Sequence, residues 1–258
     1  MFYPTTFGRV DVDRARLAIS LVDLTDLGDA TTAEAVARLC DRAVTHGTAA
    51  VCVWPRFVAE CASRLGGSGV RVATVVNFPS GAEALDDVVA ATHRALDDGA
   101  DEIDVVLPYR AWLDGDVAAA GDVLDAVRVA IDDRVTDISA MKVIIETGEL
   151  PDRAAIDRAA HFAIAHRADF VKTSTGKTAV SATPEAAEIV LEAIDVSGRP
   201  VGLKASGGIG TAADAEVYLD LAEEIMGQGW VSAETFRFGA SGLLDALLAE
   251  LTPGPVDS

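Results

Sequence analysis

The feature that most constrains the fold of this chain is a short apolar run that recurs along its length. Each run is followed by a loop and a stretch of helical period, and the runs are rich in Val, Ile and Leu, as expected of strands buried on both faces. Repeated strand–helix units over 258 residues predict a single (β/α)8 TIM barrel, an α/β fold that typically takes about 250 residues. The eight runs are Leu17–Asp23, Ala49–Trp54, Val70–Asn77, Glu102–Leu107, Lys142–Glu146, Asp169–Ser174, Pro200–Ala205 and Thr235–Phe238.

Helix start signals lie between the runs. Thr183 precedes Pro184, which places an N-cap threonine before a proline at the first helical position. Thr211 and Asp214 have the spacing of a capping box, with Asp in place of Glu or Gln. The competing fold is an open doubly wound sheet, which would need a glycine-rich loop after its first strand. The segment Leu21–Asp26 has no such loop, so the barrel is favoured.

The chain is predicted to form one domain. No Pro/Ser-rich linker divides it, so we expect a barrel over residues 1–251 and a mobile C-terminal tail over residues 252–258. Half of the residues are hydrophobic, which allows a large core. No apolar run approaches the ~20 residues that span a membrane. Met1–Thr6 carries no basic region followed by an apolar stretch, so we expect neither a membrane partner nor a secretory signal.

Charge and cysteine usage exclude several classes of function. The formal net charge is -20, and such a surface repels nucleic acid, so no nucleic-acid partner is expected. The three cysteines form no C-x-x-C pair, and no histidine has metal-ligand spacing. We therefore expect a cytoplasmic protein in a reducing environment, with neither a metal nor a cofactor.

Lysine is rare in this chain, and its positions are informative. The four lysines are Lys142, Lys172, Lys177 and Lys204, whereas the other seventeen basic residues are arginines. A lysine that remains where arginine is common is often one that must lose its proton, which arginine cannot do. Lys142 begins a predicted strand and is expected to be structural. The other three lie at or near the predicted mouth of the barrel, where the active sites of TIM barrels are found.

Strand parity places two of these lysines inside the barrel. Val171 should face the helices, so Lys172 points inward, and Lys204 follows the same rule on the next strand. Asp104 also points inward, from the fourth strand. One interpretation is a buried core ion pair of Lys204 with Asp104, with a second pair that uses Asp23.

The alternative interpretation is catalytic. A second cation beside a lysine, together with desolvation, lowers the pKa of that lysine. The neutral amine can then attack a carbonyl group and form a Schiff base, which acts as an electron sink without a metal. On this interpretation Lys172, Lys204 and Asp104 carry the chemistry.

Glycine-rich loops follow the last three strands. They are Thr173–Lys177, Ser206–Gly210 and Gly239–Gly242. Barrels often bind phosphate after strands seven and eight, through backbone N–H groups and a helix N-terminus, and Lys177 can add a compensating charge. The other interpretation is that these glycines only make tight turns. Three such loops on successive strands favour a phosphate site.

Segments along almost the whole chain resemble the deoxyribose-phosphate aldolase family. The most specific is Val171–Lys177, with the sequence V-K-T-S-T-G-K. The matching segments, in order, are Val22–Thr25, Cys52–Phe57, Val76–Pro79, Gly99–Val106, Lys142–Leu150, Phe170–Lys177, Gly202–Lys204 with Gly207–Gly208, and Phe236–Ser241.

The resemblance implies a function and a set of roles. The reaction would be the reversible cleavage of 2-deoxy-D-ribose 5-phosphate to D-glyceraldehyde 3-phosphate and acetaldehyde. Lys172 would form the Schiff base, Lys204 would perturb it and take part in proton transfer, and Asp104 would donate and accept protons through water. The resemblance also implies a homodimer and a sugar-phosphate substrate. The substrate-binding residues would be Asp23 and Thr175, at substrate hydroxyls, and Gly176, Lys177, Gly207, Gly208, Gly239 and Ser241, around the phosphate.

The chain departs from the family pattern near the phosphate site. Ala205–Ser206 stands where the family often has Pro-Ala, Gly210 where it often has Arg, and Gly242 where it often has Ser. These changes remove a guanidinium and a hydroxyl group, but no reacting group. The rival functions are another Schiff-base sugar-phosphate aldolase and a binding barrel without catalysis.

Overall fold

The computed structural model describes residues 11–134 and 140–251, and it contains a closed barrel of parallel strands. The strands follow one another in chain order, and β1 pairs with β8 to close the barrel. The predicted (β/α)8 barrel is therefore confirmed. The strands are β1 Val22–Asp26, β2 Ala50–Val53, β3 Arg71–Val76, β4 Glu102–Val106, β5 Ala140–Ile144, β6 Phe170–Lys172, β7 Gly202–Ser206 and β8 Phe236–Ala240.

Helices surround the barrel. In the part that the structure describes, they are α1 Val12–Ser20, α2 Ala33–His46, α3 Val58–Leu65, α4 Leu85–Asp97, α5 Tyr109–Leu113, α6 Val117–Asp132, α7 Arg153–Ala165, α8 Pro184–Ser197, α9 Ala212–Met226 and α10 Leu243–Leu251. Short 3-10 turns at Pro55–Phe57 and Thr147–Glu149 follow β2 and β5. The predicted tail at 252–258 lies outside the described residues, so the domain limits remain a prediction.

The first strand is where the sequence prediction was wrong. The run Leu17–Asp23 was expected to be a strand, but residues 17–20 belong to α1 and the strand begins at Val22. Ala15, Ala18 and Ile19 are the buried residues of α1, and their spacing is that of one helix face. This helix packs against α10, so the apolar run serves helix packing before the chain enters the barrel. The other seven strands lie within three residues of their predicted limits.

The predicted helix starts are confirmed. The Thr183 hydroxyl accepts a hydrogen bond from the N–H of Ala186 at the start of α8, directly before Pro184. Thr211 and Asp214 form a reciprocal capping box at the start of α9. These caps stabilise the ends of the helices that follow β6 and β7, and so help to fix the loops at the carboxyl ends of those strands.

Gly202 lies two residues before Lys204 on β7 and, like Lys204, faces the barrel interior. It pairs in register with Phe170 on β6, and a Cβ atom at Gly202 would lie 2.5 Å from the Phe170 ring and 2.6 Å from the carbonyl oxygen of Thr235. The missing side chain thus makes room for an aromatic ring below the two lysines. The Phe170 ring in turn lies 5.4 Å from the Arg237 guanidinium carbon.

Replacement of Gly202 by alanine is expected to destabilise the barrel. The added methyl group overlaps Phe170, and overpacking of this kind costs about 1–3 kcal/mol of unfolding free energy. Urea unfolding of Gly202→Ala, with Gly66→Ala as control, measures the effect, because the nearest atom to a Cβ at Gly66 is 3.6 Å away. Equal stability of the two variants would contradict the proposed packing.

Candidate active site

Seven charged side chains meet inside the barrel, and each belongs to a residue that is buried. Three are carboxylates and four are cationic groups, so the cluster carries one positive charge in excess if all of them are ionised. Removing isolated charges from water is costly, and such a cluster is tolerated only when its members pair closely. We call it the central cluster; its members are Asp23, Glu102, Asp104, Lys142, Lys172, Lys204 and Arg237.

Sheet register brings these side chains together. Lys172 and Lys204 are paired residues on β6 and β7, and Asp104 and Lys142 are paired on β4 and β5. Side chains of paired residues on parallel strands share a face, and here that face is the barrel interior. The two lysines predicted to point inward therefore do so, and Asp104 points toward both.

Asp104 is the shared partner of three lysines. Its Oδ2 atom accepts hydrogen bonds from Lys172 Nζ at 2.7 Å and from Lys204 Nζ at 2.8 Å, and its Oδ1 atom accepts one from Lys142 Nζ at 3.0 Å. Burial disfavours the charged carboxylate, but the three ammonium groups hold the pKa of Asp104 well below its usual range. The two lysines thus contact the same anionic oxygen, which can pass a proton between them.

A lower layer of the cluster fixes Lys204. Its Nζ atom lies 2.5 Å from Asp23 Oδ2, and Arg237 Nη1 donates to Asp23 Oδ1 at 2.6 Å. Arg237 Nη2 donates to Glu102 Oε1 at 2.9 Å, and Lys142 also binds Glu102. Burial acts against the charge of Lys204, but Asp104 and Asp23 raise its pKa above the ordinary lysine value. Lys204 therefore holds its proton more strongly than an ordinary lysine does.

Lys172 differs from the other cations of the cluster. Among the described residues it contacts one carboxylate, whereas Lys204 contacts two and Lys142 three. Burial lowers the pKa of Lys172, Asp104 opposes this, and the Lys204 ammonium adds to the lowering. Loss of the Lys172 proton would also remove the charge excess of the cluster. A neutral amine at this position is a nucleophile for a carbonyl group.

The structure corrects the expectation for Lys142 and refines that for Asp23. Lys142 does not begin its strand but is the third residue of β5, with its ammonium in the central cluster. Asp23 is the second residue of β1 and is fully buried below the cleft described next. Its carboxylate binds Lys204 and Arg237, so in this structure Asp23 holds the cluster in place.

A cleft of about 670 Å³ opens at the carboxyl ends of β1, β6, β7 and β8. Its lining includes Ser206 and Gly239, whose Cα atoms lie in neighbouring positions of β7 and β8. Ser206 lies two residues beyond Lys204, which is about 7 Å along a strand. A Cβ atom at Gly239 would lie 3.0 Å from Lys204 Cε, so this glycine keeps the space above the lysine open.

The cleft brings together the residues predicted to surround a phosphate group. Gly207 and Gly208 both have positive φ angles, of 80° and 78°, and these glycines turn the backbone of the β7 loop along the cleft. The lining also includes groups that sequence reasoning did not assign, namely Thr25–Gly28, Ser181 and Ser206. The predicted substrate-binding residues that line it are Thr175, Gly176, Lys177, Gly207, Gly208, Gly239 and Ser241.

Glu146 holds the β6 loop at one side of the cleft. This residue is buried and has a positive φ angle of 52°, two residues after the end of β5. Its carboxylate accepts hydrogen bonds from the Thr175 hydroxyl at 2.5 Å, from the Thr175 N–H at 3.3 Å and from the Thr178 hydroxyl at 3.2 Å. Sequence reasoning placed Glu146 at a strand end without a role. In the structure it positions Thr175 and the loop that carries Lys177.

Asn77 and Cys52, at or near strand ends, have structural roles. Asn77 donates to Val106 O and accepts from the Glu83 N–H, so it fixes the loop after β3. Cys52 is buried, and burial raises the pKa of its thiol.

Two kinds of feature are absent from residues 11–134 and 140–251. No group of three His, Cys, Asp or Glu side chains there could hold a metal ion. None of the helices in these residues has the length and hydropathy of a membrane span.

Comparison with known proteins gives matches over almost the whole chain. The model of the DeoC/LacD family aldolases matches residues 17–246. A deoxyribose-phosphate aldolase from Agrobacterium fabrum is 52% identical over 245 residues, which cover 94% of this chain and 93% of that protein.

Solved structures of similar proteins share the whole fold. One from Coccidioides immitis, assigned as a deoxyribose-phosphate aldolase, has a TM-score of 0.81 at 27% identity, covering 96% of this chain and 91% of its own. A second, from Toxoplasma gondii and assigned in the same way, has a TM-score of 0.81 at 28% identity and covers 93% and 97%. On the family match and the sequence identity, this chain belongs to the DeoC/LacD family of aldolases.

Proposed function

We propose that this chain is a deoxyribose-phosphate aldolase that works through a Schiff base on Lys172. The observation that carries the proposal is the pair of buried lysines on one oxygen of Asp104, directly below a cleft lined by glycines, hydroxyl groups and Lys177. Its relative from Agrobacterium fabrum is named for the same activity. The reaction is the reversible cleavage of 2-deoxy-D-ribose 5-phosphate to D-glyceraldehyde 3-phosphate and acetaldehyde.

The reaction begins with the neutral amine of Lys172. It attacks the aldehyde carbon of the open-chain sugar, and loss of water gives the protonated imine. The bond between C2 and C3 then breaks, its electrons move into the imine to form an enamine, and the C3 hydroxyl proton leaves. Glyceraldehyde 3-phosphate departs with C3 as its aldehyde. Protonation of the enamine at C2 and hydrolysis of the imine release acetaldehyde and restore the amine.

The central cluster supplies the proton transfers of this cycle. Lys204 keeps its proton next to Lys172 and disfavours a second ammonium there, while Asp104 accepts hydrogen bonds from both. Proton exchange with the substrate can pass between these groups and a water molecule. The phosphate end of the substrate would lie in the cleft near Lys177, Gly207 and Gly208, where backbone N–H groups and one ammonium are available.

The rival functions are weaker explanations of the same residues. A binding barrel without catalysis would have no use for a lysine whose pKa is lowered beside a second lysine. Another Schiff-base aldolase would use the same centre, and relative rates on deoxyribose 5-phosphate and on a ketose phosphate distinguish the two.

The proposed location is the cytosol, in keeping with three cysteines that are all free. The homodimer remains a prediction from the family resemblance.

Replacement of Lys172 by arginine is expected to reduce turnover of deoxyribose 5-phosphate to the background rate while the fold survives. Arginine keeps the positive charge next to Asp104 but cannot lose its proton to form an imine. The assay follows acetaldehyde release, and thermal unfolding checks the fold. Lys177→Arg is the matched control, because it makes the same exchange in the cleft and should keep turnover with an altered KM. Retained activity in Lys172→Arg would contradict the assigned nucleophile.

The rate of the free enzyme is expected to depend on the protonation of Lys172. Because its pKa lies below the ordinary lysine value of 10.5, the neutral and reactive amine accumulates as pH rises through that lowered pKa. The acid limb of kcat/KM should therefore have its midpoint below 10.5 and level off above it. A midpoint of the acid limb at pH 10.5 or above would show that the pKa of Lys172 is not lowered.

A further inference from the structure

The cleft above the central cluster has an unusual charge balance for a phosphate site. Among its lining residues, Asp26 and Lys177 are the charged ones, so their side chains together contribute no net charge. The remaining polar side chains are neutral hydroxyl groups, which come from Thr25, Thr175, Ser181, Ser206 and Ser241. A phosphate dianion in this cleft would meet a carboxylate as well as an ammonium group.

Asp26 is held in place without being neutralised. Its Oδ1 atom accepts hydrogen bonds from the Thr31 hydroxyl at 2.5 Å and from the Gly28 N–H at 3.1 Å. In the described part of the chain, no ion pair of its carboxylate with a cationic side chain is found, although Asp26 is only partly exposed. The Lys177 ammonium instead donates to the carbonyl oxygen of Leu27 at 2.7 Å. The cleft therefore contains a fixed and unpaired carboxylate.

The consequences differ for the two ends of a possible substrate. A carboxylate repels a phosphate group, and charges in a cleft are screened less than charges in bulk water. The chain's net charge of -20 adds to that repulsion. By contrast, a carboxylate is a strong acceptor for a sugar hydroxyl group. A carboxylate at position 26 should therefore weaken the binding of a phosphorylated sugar more than that of an unphosphorylated one.

We propose that Asp26 is a specificity-determining residue that lowers the preference of this enzyme for phosphorylated over unphosphorylated 2-deoxy aldoses. The proposal rests on the aldolase function proposed above, and it concerns how this cleft discriminates between the phosphorylated and the neutral deoxy sugar. Asp26 takes no part in the bond-breaking step, because that step occurs at the central cluster below.

The test is the isosteric change Asp26→Asn. Asparagine keeps an oxygen that can accept from Thr31 and Gly28, so the loop is preserved while the charge is removed. The matched control is Asp29→Asn, which removes one charge from an exposed residue of the same loop that does not line the cleft. Two quantities are measured for each protein: the Kd of inorganic phosphate by calorimetry, and kcat/KM for 2-deoxyribose 5-phosphate and for 2-deoxyribose.

For Asp26→Asn, the phosphate Kd is expected to fall roughly three- to tenfold. The kcat/KM for 2-deoxyribose 5-phosphate, divided by that for 2-deoxyribose, is expected to rise by a similar factor. Asp29→Asn should leave both quantities near those of the unaltered chain. An unchanged phosphate Kd, or an equal shift in the control, would overturn the role of Asp26. If the unaltered chain cleaved neither sugar, the proposed function would fail, and the phosphate titration would still decide the role of Asp26.

Discussion

An excess of one positive charge at the centre of the barrel is the constraint on which the proposed chemistry depends. Four cationic side chains meet three carboxylates there, out of contact with solvent. The excess is removed most easily at the cation with the fewest anionic partners, and that cation is Lys172. Lys204, held between Asp104 and Asp23, keeps its proton. The fold thus shifts the pKa values of two chemically identical side chains in opposite directions, and the two differ in the number of carboxylates that each one contacts.

The central cluster and the cleft have different roles in the proposed active site. The cluster lies within the strands, where register and packing leave little freedom, and it provides the reacting groups. The cleft lies on the loops after β1, β6, β7 and β8, and it provides substrate contacts. Glu146, two residues after the end of β5, binds Thr175 and so fixes the loop after β6 at the edge of the cleft. Loop residues such as Asp26 can therefore alter substrate preference without disturbing the buried charges.

Sequence reasoning reached the barrel and the inward lysines because both follow from local patterns. Parity along a three- or five-residue strand is enough to place Lys172, Lys204 and Asp104. The first strand was predicted wrongly because the apolar run of α1 continues into it, and periodicity over so few residues does not separate a helix from a strand. The full cluster was missed, since its membership depends on the register between strands that are far apart in sequence. Parity places Glu102 on the same face as Asp104, and this signal could have identified Glu102 as well.

The central claim, that Lys172 forms the Schiff base, is tested most directly by borohydride trapping during turnover of 2-deoxyribose 5-phosphate. Reduction converts an imine into a stable secondary amine. Mass spectrometry of the intact chain detects this adduct, and peptide mapping identifies the lysine that carries it. The account predicts one adduct per chain, on the peptide that contains Lys172, and none on Lys204, whose raised pKa keeps it protonated. An adduct on Lys204, or no adduct while the substrate is being cleaved, would contradict it.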